Sequence, residues 1–383
     1  MRDSESARIA RSPDLIEQPI LRLALLTLGD PNQQTGGHRY HRKMARAAPG
    51  YGAEIRFCSI QDSSWPLPIV TAARAFRAAS ERSDAVVLDG LAAAFVAPWI
   101  ARSPVPVIAV LHQGPGGVGH GWIRSLSQGA LDRVAYRHAG GFIAASQSLV
   151  EALHGLGVAD GRIRFVPPGC DVPSDGGPPL DLRQGRDVAV LCVANWTPNK
   201  GIVQLANAFA SLPERAATLW LVGATDVDRA YARRVRRRIS APDLSRRVVV
   251  RGALPFDDVG RMYRSADVFA LCSFVDAYGT AWAEAISAGL PVVGWRTANL
   301  PRLVEHGGEA LMPEPGDLRG LASALQAITS DAVLRARLAA GAGRRAGTLP
   351  TWRRSEELFF GAVRDLLEAS PAIDGGTTRS RGR

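Results

Sequence analysis

The sequence predicts an α/β fold made of two doubly wound halves, each a parallel sheet with helices on both faces. Three observations carry this. Short β-rich apolar runs alternate with longer helical patterns along the chain, the signature of βαβ units. A stretch rich in Pro, Gly and charge, "PSDGGPPLDLRQGRD" at 173–187, breaks the alternation, which then restarts. The chain has 383 residues, more than a typical single core holds. Two domains of roughly 150 to 200 residues are therefore expected.

The elements follow in order. Residues 1–20 lack a hydrophobic signal core and read as a disordered extension. The first half, 21–172, carries the runs "RLALLTL" (22–28), "EIRFCS" (54–59), "DAVVLDG" (84–90), "VPVIAVL" (105–111), "GFIAAS" (141–146) and "RIRFVP" (162–167). Helical patterns such as "IVTAARAFRAAS" and "WIRSLSQGALDRVAYRHA" lie between them. After the linker at 173–187, the second half, 188–350, carries "VAVLCVA" (188–194), "ATLWLVG" (217–223), "RVVVRG" (247–252), "ADVFALC" (266–272) and "LPVVGW" (290–295). An amphipathic helix is expected over 351–369, with Leu358, Phe359, Val363, Leu366 and Leu367 on one stripe. Residues 370–383 read as a disordered tail.

Composition narrows the class. Apolar residues at 46% and charged residues at 21% describe a globular chain. No apolar run reaches the ~18 residues of a membrane span. Cys58, Cys170, Cys192 and Cys272 form no C-x-x-C pair. Buried thiols in a reducing compartment are expected, so the cytoplasm is the default location. The net charge of +10 fits an arginine-rich solvated surface, or contact with an anionic membrane face or acidic acceptor. Nucleic acid is disfavoured, because no binding motif accompanies the charge. Of the 46 basic residues only Lys43 and Lys200 are lysine, so each lysine draws attention.

One motif invites a cofactor. Gly114–Gly119 in "VLHQGPGGVGHGW" is a literal G-x-G-x-x-G. A dinucleotide site also needs the first glycine at the strand end and an acid closing the next strand. Here His112 and Gln113 intervene, the next strand ends at Ser146, and Asp132 falls in mid-helix. A nicotinamide or flavin cofactor is therefore not expected; the glycines read as a loop at the carboxyl edge of the sheet.

Three places point to a phosphate-bearing ligand. Gly36–Gly37 opens a helix after the first strand, where backbone amides can approach an anion, although an ordinary tight βα loop reads the same way. Lys200-Gly201 opens a helix after "VANWTP", although the helix dipole disfavours a cation at that end. In "DAYGTAWAEAISAG", Asp276 and Glu284 stand eight apart around Tyr278, Gly279 and Thr280. Such carboxylates suit sugar hydroxyls, and the Gly279 and Thr280 amides suit a phosphate. An N-cap role for Asp276 and a cap or salt-bridge role for Glu284 stay open.

These pieces, in this order over roughly 21–369, resemble the retaining GT-B glycosyltransferases of family 4. The likeness rests chiefly on "DAYGTAWAEAISAGLPVVG" (276–294), with "RFVPPGCDV" (164–172) and "RGALPFDDVGRMYRSADVFALCS" (251–273) in support. It implies two Rossmann-like domains facing across a cleft and a C-terminal helix crossing back to the N-domain. It implies transfer of a sugar from a nucleoside diphosphate sugar to an acceptor hydroxyl, with retention and without a metal or other cofactor. His112, Lys200 and Asp276 would be catalytic. Gly36, Gly37, Asn195, Lys200, Gly252, Leu254, Asp276, Tyr278, Gly279, Thr280 and Glu284 would bind the donor.

Two positions depart from the pattern. Asp276 stands where glutamate is usual, and Asn195 where arginine often supplies a diphosphate cation, which Arg39 or Arg296 would then replace. A nucleotide-sugar hydrolase or epimerase of the same fold, and a non-catalytic binder, remain alternatives. The acceptor is open between a small molecule, a glycan and a lipid-linked sugar. A lipid-linked acceptor would bring peripheral contact with the inner membrane face.

Overall fold

The computed structural model describes residues 19–33, 35–61, 68–117, 122–172 and 177–369. The expected tail, nearly all of the expected N-terminal extension, residues 118–119 of the glycine motif and residues 173–176 of the expected linker lie outside the described residues.

Two parallel six-stranded sheets form, one from each half. The first contains β1 (Leu21–Leu28), β2 (Ala53–Ile60), β3 (Ala85–Asp89), β4 (Val107–Leu111), β5 (Gly141–Ala144) and β6 (Ile163–Phe165), in the order β2-β1-β3-β4-β5-β6. The second contains β7 (Val188–Val193), β8 (Ala217–Val222), β9 (Val248–Gly252), β10 (Val268–Ala270), β11 (Val292–Val293) and β12 (Ala310–Leu311), in the order β12-β11-β10-β7-β8-β9. Eleven of these strands fall on the apolar runs. Ala310–Leu311 is too short for periodicity to reveal and exists because it pairs with Val292–Val293. β3 and β4 are buried at every position, as continuous apolar runs covered on both faces must be.

The C-terminal helix, Trp352–Glu368, packs on the first sheet rather than the second. Its buried face carries Trp352, Phe359, Phe360, Val363 and Leu366. This corrects the expected stripe. Phe360 is inside, whereas Leu358 and Leu367 are only partly buried at its edge. The contact is close. A Cβ on Gly169 would sit 2.4 Å from the Trp352 backbone, and one on Gly141 would sit 2.7 Å from Leu366. Gly169 therefore requires glycine, whereas a side chain at Gly141 would force Leu366 to move.

The stretch 177–187 is not a free linker. Leu182 is buried against the second core, its carbonyl accepts Trp220 Nε1–H at 2.7 Å, and Arg183 pairs with Asp267 at 2.6 Å. All four cysteines are free and buried, as expected. No helix among the described residues is long and apolar enough to cross a membrane.

The described part of the glycine motif is a turn. Gly116 has φ +89°, and its N–H donates to Asp132 Oδ2 at 2.9 Å. Asp132 lies inside the Trp122–His138 helix and is nearly fully buried. It thus serves the loop, as a buried acceptor. Burial pushes its carboxyl from 3.8 up to about 6, against the opposing effect of the Gly116 and Ala94 amides.

A carboxyl whose folded-state pKa is raised contributes stability that is complete below its unfolded pKa and lost as pH rises through the folded one. Wild type should therefore lose roughly 3 kcal/mol between about pH 4 and 7 relative to Asp132→Asn, which keeps an acceptor for Gly116. Denaturant titrations of both proteins across that range would show it. A difference that does not change with pH would refute the assignment.

Candidate active site

In an open parallel sheet, loops diverge at the carboxyl edge where strand order reverses, and a crevice opens there. The first sheet reverses between β1 and β3, and the second between β7 and β10. The loops after β1, β4, β7, β9 and β10, with the helix starts that follow them, carry the predicted site residues. They line one cleft of about 460 Å³.

The cleft gathers Gly36, Gly37, His112, Asn195, Lys200, Leu254, Asp276, Tyr278, Thr280 and Glu284, together with Arg39. Two of the predicted residues do not line it. Gly252 ends β9 at φ +68°, and its carbonyl accepts the Gly223 N–H at 2.8 Å. Gly279 caps the Thr280–Ser287 helix at φ +83°, and its N–H is donated to Asp276 Oδ1 at 2.8 Å. The Gly279 amide is thus spent on Asp276, which corrects the expectation that it faces a phosphate. Arg296 is not a cleft residue either and pairs with Glu314 at 3.3 Å.

Lys200 is held in place from two sides. Gly201 follows it at φ +64°, where an added Cβ would lie 2.1 Å from the Cys272 carbonyl oxygen. The loop after β7 is thereby pressed onto the end of β10. Lys200 Nζ reaches Asp276 Oδ2 at 2.5 Å, and both side chains are about four-fifths buried. Asp276 is not the N-cap of the helix, a position held by Gly279. One oxygen organises the turn before the helix, and the other faces a cation in the cleft. Asn195 accepts the Ala224 N–H at 2.9 Å and braces the loops after β7 and β8.

Glu284 lies on the second turn of its helix and is almost fully buried. One carboxylate oxygen accepts the Tyr263 hydroxyl at 3.1 Å, and the other is ion-paired with Arg39 from the first half. A buried carboxylate needs such partners, because desolvation otherwise costs several kcal/mol. The two halves also meet where a Cβ on Gly36 would come 3.3 Å from Thr280 Oγ1.

His112 follows β4 directly and stands over Gly37, whose added Cβ would sit 3.3 Å from the ring. Burial, with the neighbouring His41, lowers its pKa to about 3, so it is neutral at pH 7. Its Nε2 is buried and has no partner among the described residues. Behind it, His41 lies 4.9 Å away ring to ring and contacts Asp89 at 3.2 Å. Burial alone would raise the Asp89 carboxyl, but His41 and the Thr27 hydroxyl at 2.6 Å reverse this and hold it well below the usual range.

Sequence reasoning missed Asp89, His41 and Phe256. The signals existed: an acid at the end of β3, a histidine on the first helix three residues after His38, and an aromatic after the β9 loop. None was distinctive without the neighbours the fold supplies. Among the described residues no three His, Cys, Asp or Glu side chains are grouped to hold a metal ion.

Comparison with known proteins agrees with this architecture. Residues 21–169 match the model for a glycosyl transferase 4-like domain, and residues 187–331 match the model for glycosyl transferases group 1. A mannosylfructose-phosphate synthase of Agrobacterium fabrum is 28% identical over 204 residues, covering 50% of this chain and 45% of that protein. A D-inositol 3-phosphate glycosyltransferase of Corynebacterium glutamicum is 25% identical over 244 residues, covering 60% and 58%. A lipopolysaccharide core biosynthesis glycosyltransferase of Rhizobium meliloti is 31% identical over 201 residues, covering 52% of each. The chain thus spans about half the length of the curated relatives it matches. Among solved structures, a sucrose-phosphate synthase of Thermosynechococcus elongatus superposes with TM-score 0.77 at 20% identity, over 91% of this chain and 100% of that one. The Anabaena protein HepE, solved with UDP and glucose, superposes with TM-score 0.73 at 21% identity, over 89% and 99%. These two likenesses establish the fold. With one family model matched in each half and the two facing sheets in place, the chain belongs to the group 1 glycosyl transferases and has the GT-B fold.

Proposed function

We propose that the cleft transfers a sugar from a nucleoside diphosphate sugar to an acceptor hydroxyl, with retention at the anomeric carbon and without a metal. One observation carries the reading. Lys200, Asp276, the start of the Thr280–Ser287 helix and Gly36–Gly37 converge on one cleft, with buried Glu284 one turn beyond Thr280.

Each residue has a role that its geometry suits. Glu284 offers carboxylate oxygens to the ribose hydroxyls. Lys200 and the Thr280 end of its helix face the diphosphate, and Gly36–Gly37 lets backbone approach it. Asp276 and Tyr278 meet the sugar from one side. Neutral His112 meets it from the other with its unpartnered ring nitrogen. Leu254 flanks the base, Asn195 fixes the loop that carries Lys200, and Gly252 and Gly279 shape the turns beside them.

The difficult event is departure of the diphosphate, which gains negative charge as the bond from anomeric carbon to oxygen breaks. Fixed cations and helix amides stabilise that charge in a closed site. The acceptor oxygen bonds to the same carbon from the face the phosphate leaves, and its proton passes to the departing phosphate oxygen. The acceptor is a small molecule, a glycan or a lipid-linked sugar. A cytoplasmic enzyme, peripheral to the inner membrane face if the acceptor is lipid-linked, fits the buried thiols and the arginine-rich surface.

UDP-glucose, which an Anabaena neighbour holds in its structure, is the first probe. At 100 times its dissociation constant a bound donor should stabilise by about 2.7 kcal/mol, a rise in Tm of roughly 5 to 10 °C. Melting curves with uridine, guanosine and adenosine diphosphate sugars would identify the base, and no shift with any of them would count against a donor site. Lys200→Ala should lower kcat by roughly 10²- to 10³-fold, as loss of an oxyanion donor does; a turnover number near wild type would remove Lys200 from the mechanism. Proton NMR of the product should show the anomeric configuration of the donor. An inverted product, or free sugar without acceptor, would replace retaining transfer with another chemistry.

A further inference from the structure

Arg39 forms an ion pair that the proposed reaction must break. It lies on the first turn of the Gly36–Ala47 helix, one turn beyond Gly36. Its guanidinium pairs with Glu284, one turn beyond Thr280 in the opposite half. Phe256 and Trp352 lie against the guanidinium at 4.3 Å and 5.4 Å. Both partners of the pair line the cleft, and the Nε of Arg39 is buried without a hydrogen-bond partner. An arginine held by aromatic faces, with one donor unused, is prepared to exchange anions rather than locked to one.

The carboxylate it covers is the one assigned to the ribose. A ribose diol cannot bond fully to Glu284 while a guanidinium occupies the same oxygen. The start of the Thr280–Ser287 helix, where the diphosphate is placed, lies within a side chain's length, because Gly36 and Thr280 already face each other at contact distance. Lys200 is the one lysine lining the cleft, and it is already paired with Asp276. Asn195 contributes no charge there.

We propose that Arg39 is a donor-binding residue with two positions, capping Glu284 in the empty cleft and turning to the diphosphate when the ribose takes Glu284. The inference rests on the nucleotide reading of the cleft given above. It makes the diphosphate the group that repays the broken ion pair. A nucleoside alone must break the pair with nothing in return, whereas a nucleoside diphosphate recovers a bidentate anion contact. Arg39 therefore discriminates charged donors from free nucleosides and couples the two halves to donor arrival.

The test is calorimetric titration of the full chain with uridine and UDP, and with the guanosine and adenosine pairs, for wild type, Arg39→Ala and Arg39→Lys. Removing the arginine should weaken diphosphate binding at least tenfold while leaving nucleoside binding equal or several-fold tighter. Lysine, which keeps the charge but loses the planar fork, should fall between the two for the diphosphate. A mere loss of packing would weaken nucleoside and diphosphate alike, and that result would overturn the proposal. So would unchanged binding of both in Arg39→Ala. Matching far-UV spectra and melting points for the Lys variant and wild type guard against misfolding as the cause. If wild type binds no nucleoside diphosphate of any base, the nucleotide reading itself fails and takes this proposal with it. If wild type binds but the variants show no split, only the role of Arg39 fails.

Discussion

The return of the C-terminal helix to the first sheet is the constraint on which the cleft depends. The chain leaves the second half at Pro350, and Trp352–Glu368 then buries its apolar face against the first core. Burial of each large side chain there contributes about 1.5 to 3 kcal/mol. The junction is tied by directional contacts as well. Asp171 accepts the Trp352 N–H at 2.6 Å, and the Cys170 N–H donates to the Pro350 carbonyl at 3.0 Å. The two chain crossings between halves therefore run side by side, at Cys170–Asp171 and at Pro350–Trp352. Two adjacent crossings join the halves along one side, and the cleft opens where the two sheets' carboxyl edges face each other. The absence of side chains at Gly169 and Gly141 permits this docking, because either Cβ would collide with the helix.

Within that frame the site is an arrangement of charges that are satisfied in advance. Lys200 is matched by Asp276, Glu284 by Arg39 and Tyr263, and Asp89 by His41 and Thr27. Partly or fully buried ions demand such partners, since the cost of stripping water exceeds what any single contact restores. A ligand rich in hydroxyls and phosphate oxygens can replace these partners group for group. A purely apolar ligand would strip water from both cleft ion pairs and offer no polar group in its place. His112 stands apart, kept neutral by burial and by the histidine beside it.

The same sequence features serve structure and site together. Gly201 places Lys200 because its backbone presses on Cys272. Asp276 shapes the helix entry with one oxygen and holds the lysine with the other. The described glycines after His112, up to Gly117, form a turn anchored by a buried aspartate. In each case a motif acquires its meaning from the residue that contacts it, which stands 16 to 76 positions away in the chain.

The sequence by itself determined the alternation of strand and helix, the restart after 173–187, the helix at the C-terminus and the loops that meet at the cleft. These were legible because apolar periodicity and Gly or Pro punctuation are local consequences of backbone geometry. The residues around Lys200 and Asp276–Glu284 were legible because a lysine is rare here and a buried carboxylate is costly. Only the tertiary structure decided that Arg39 caps Glu284, that Phe360 rather than Leu358 turns inward, and that Gly279 gives its amide to Asp276. It alone added a strand at Ala310–Leu311 and joined Asp89 to the histidines. Those facts depend on which surfaces meet across long stretches of chain. Local pattern carries no record of distance between elements, and packing does.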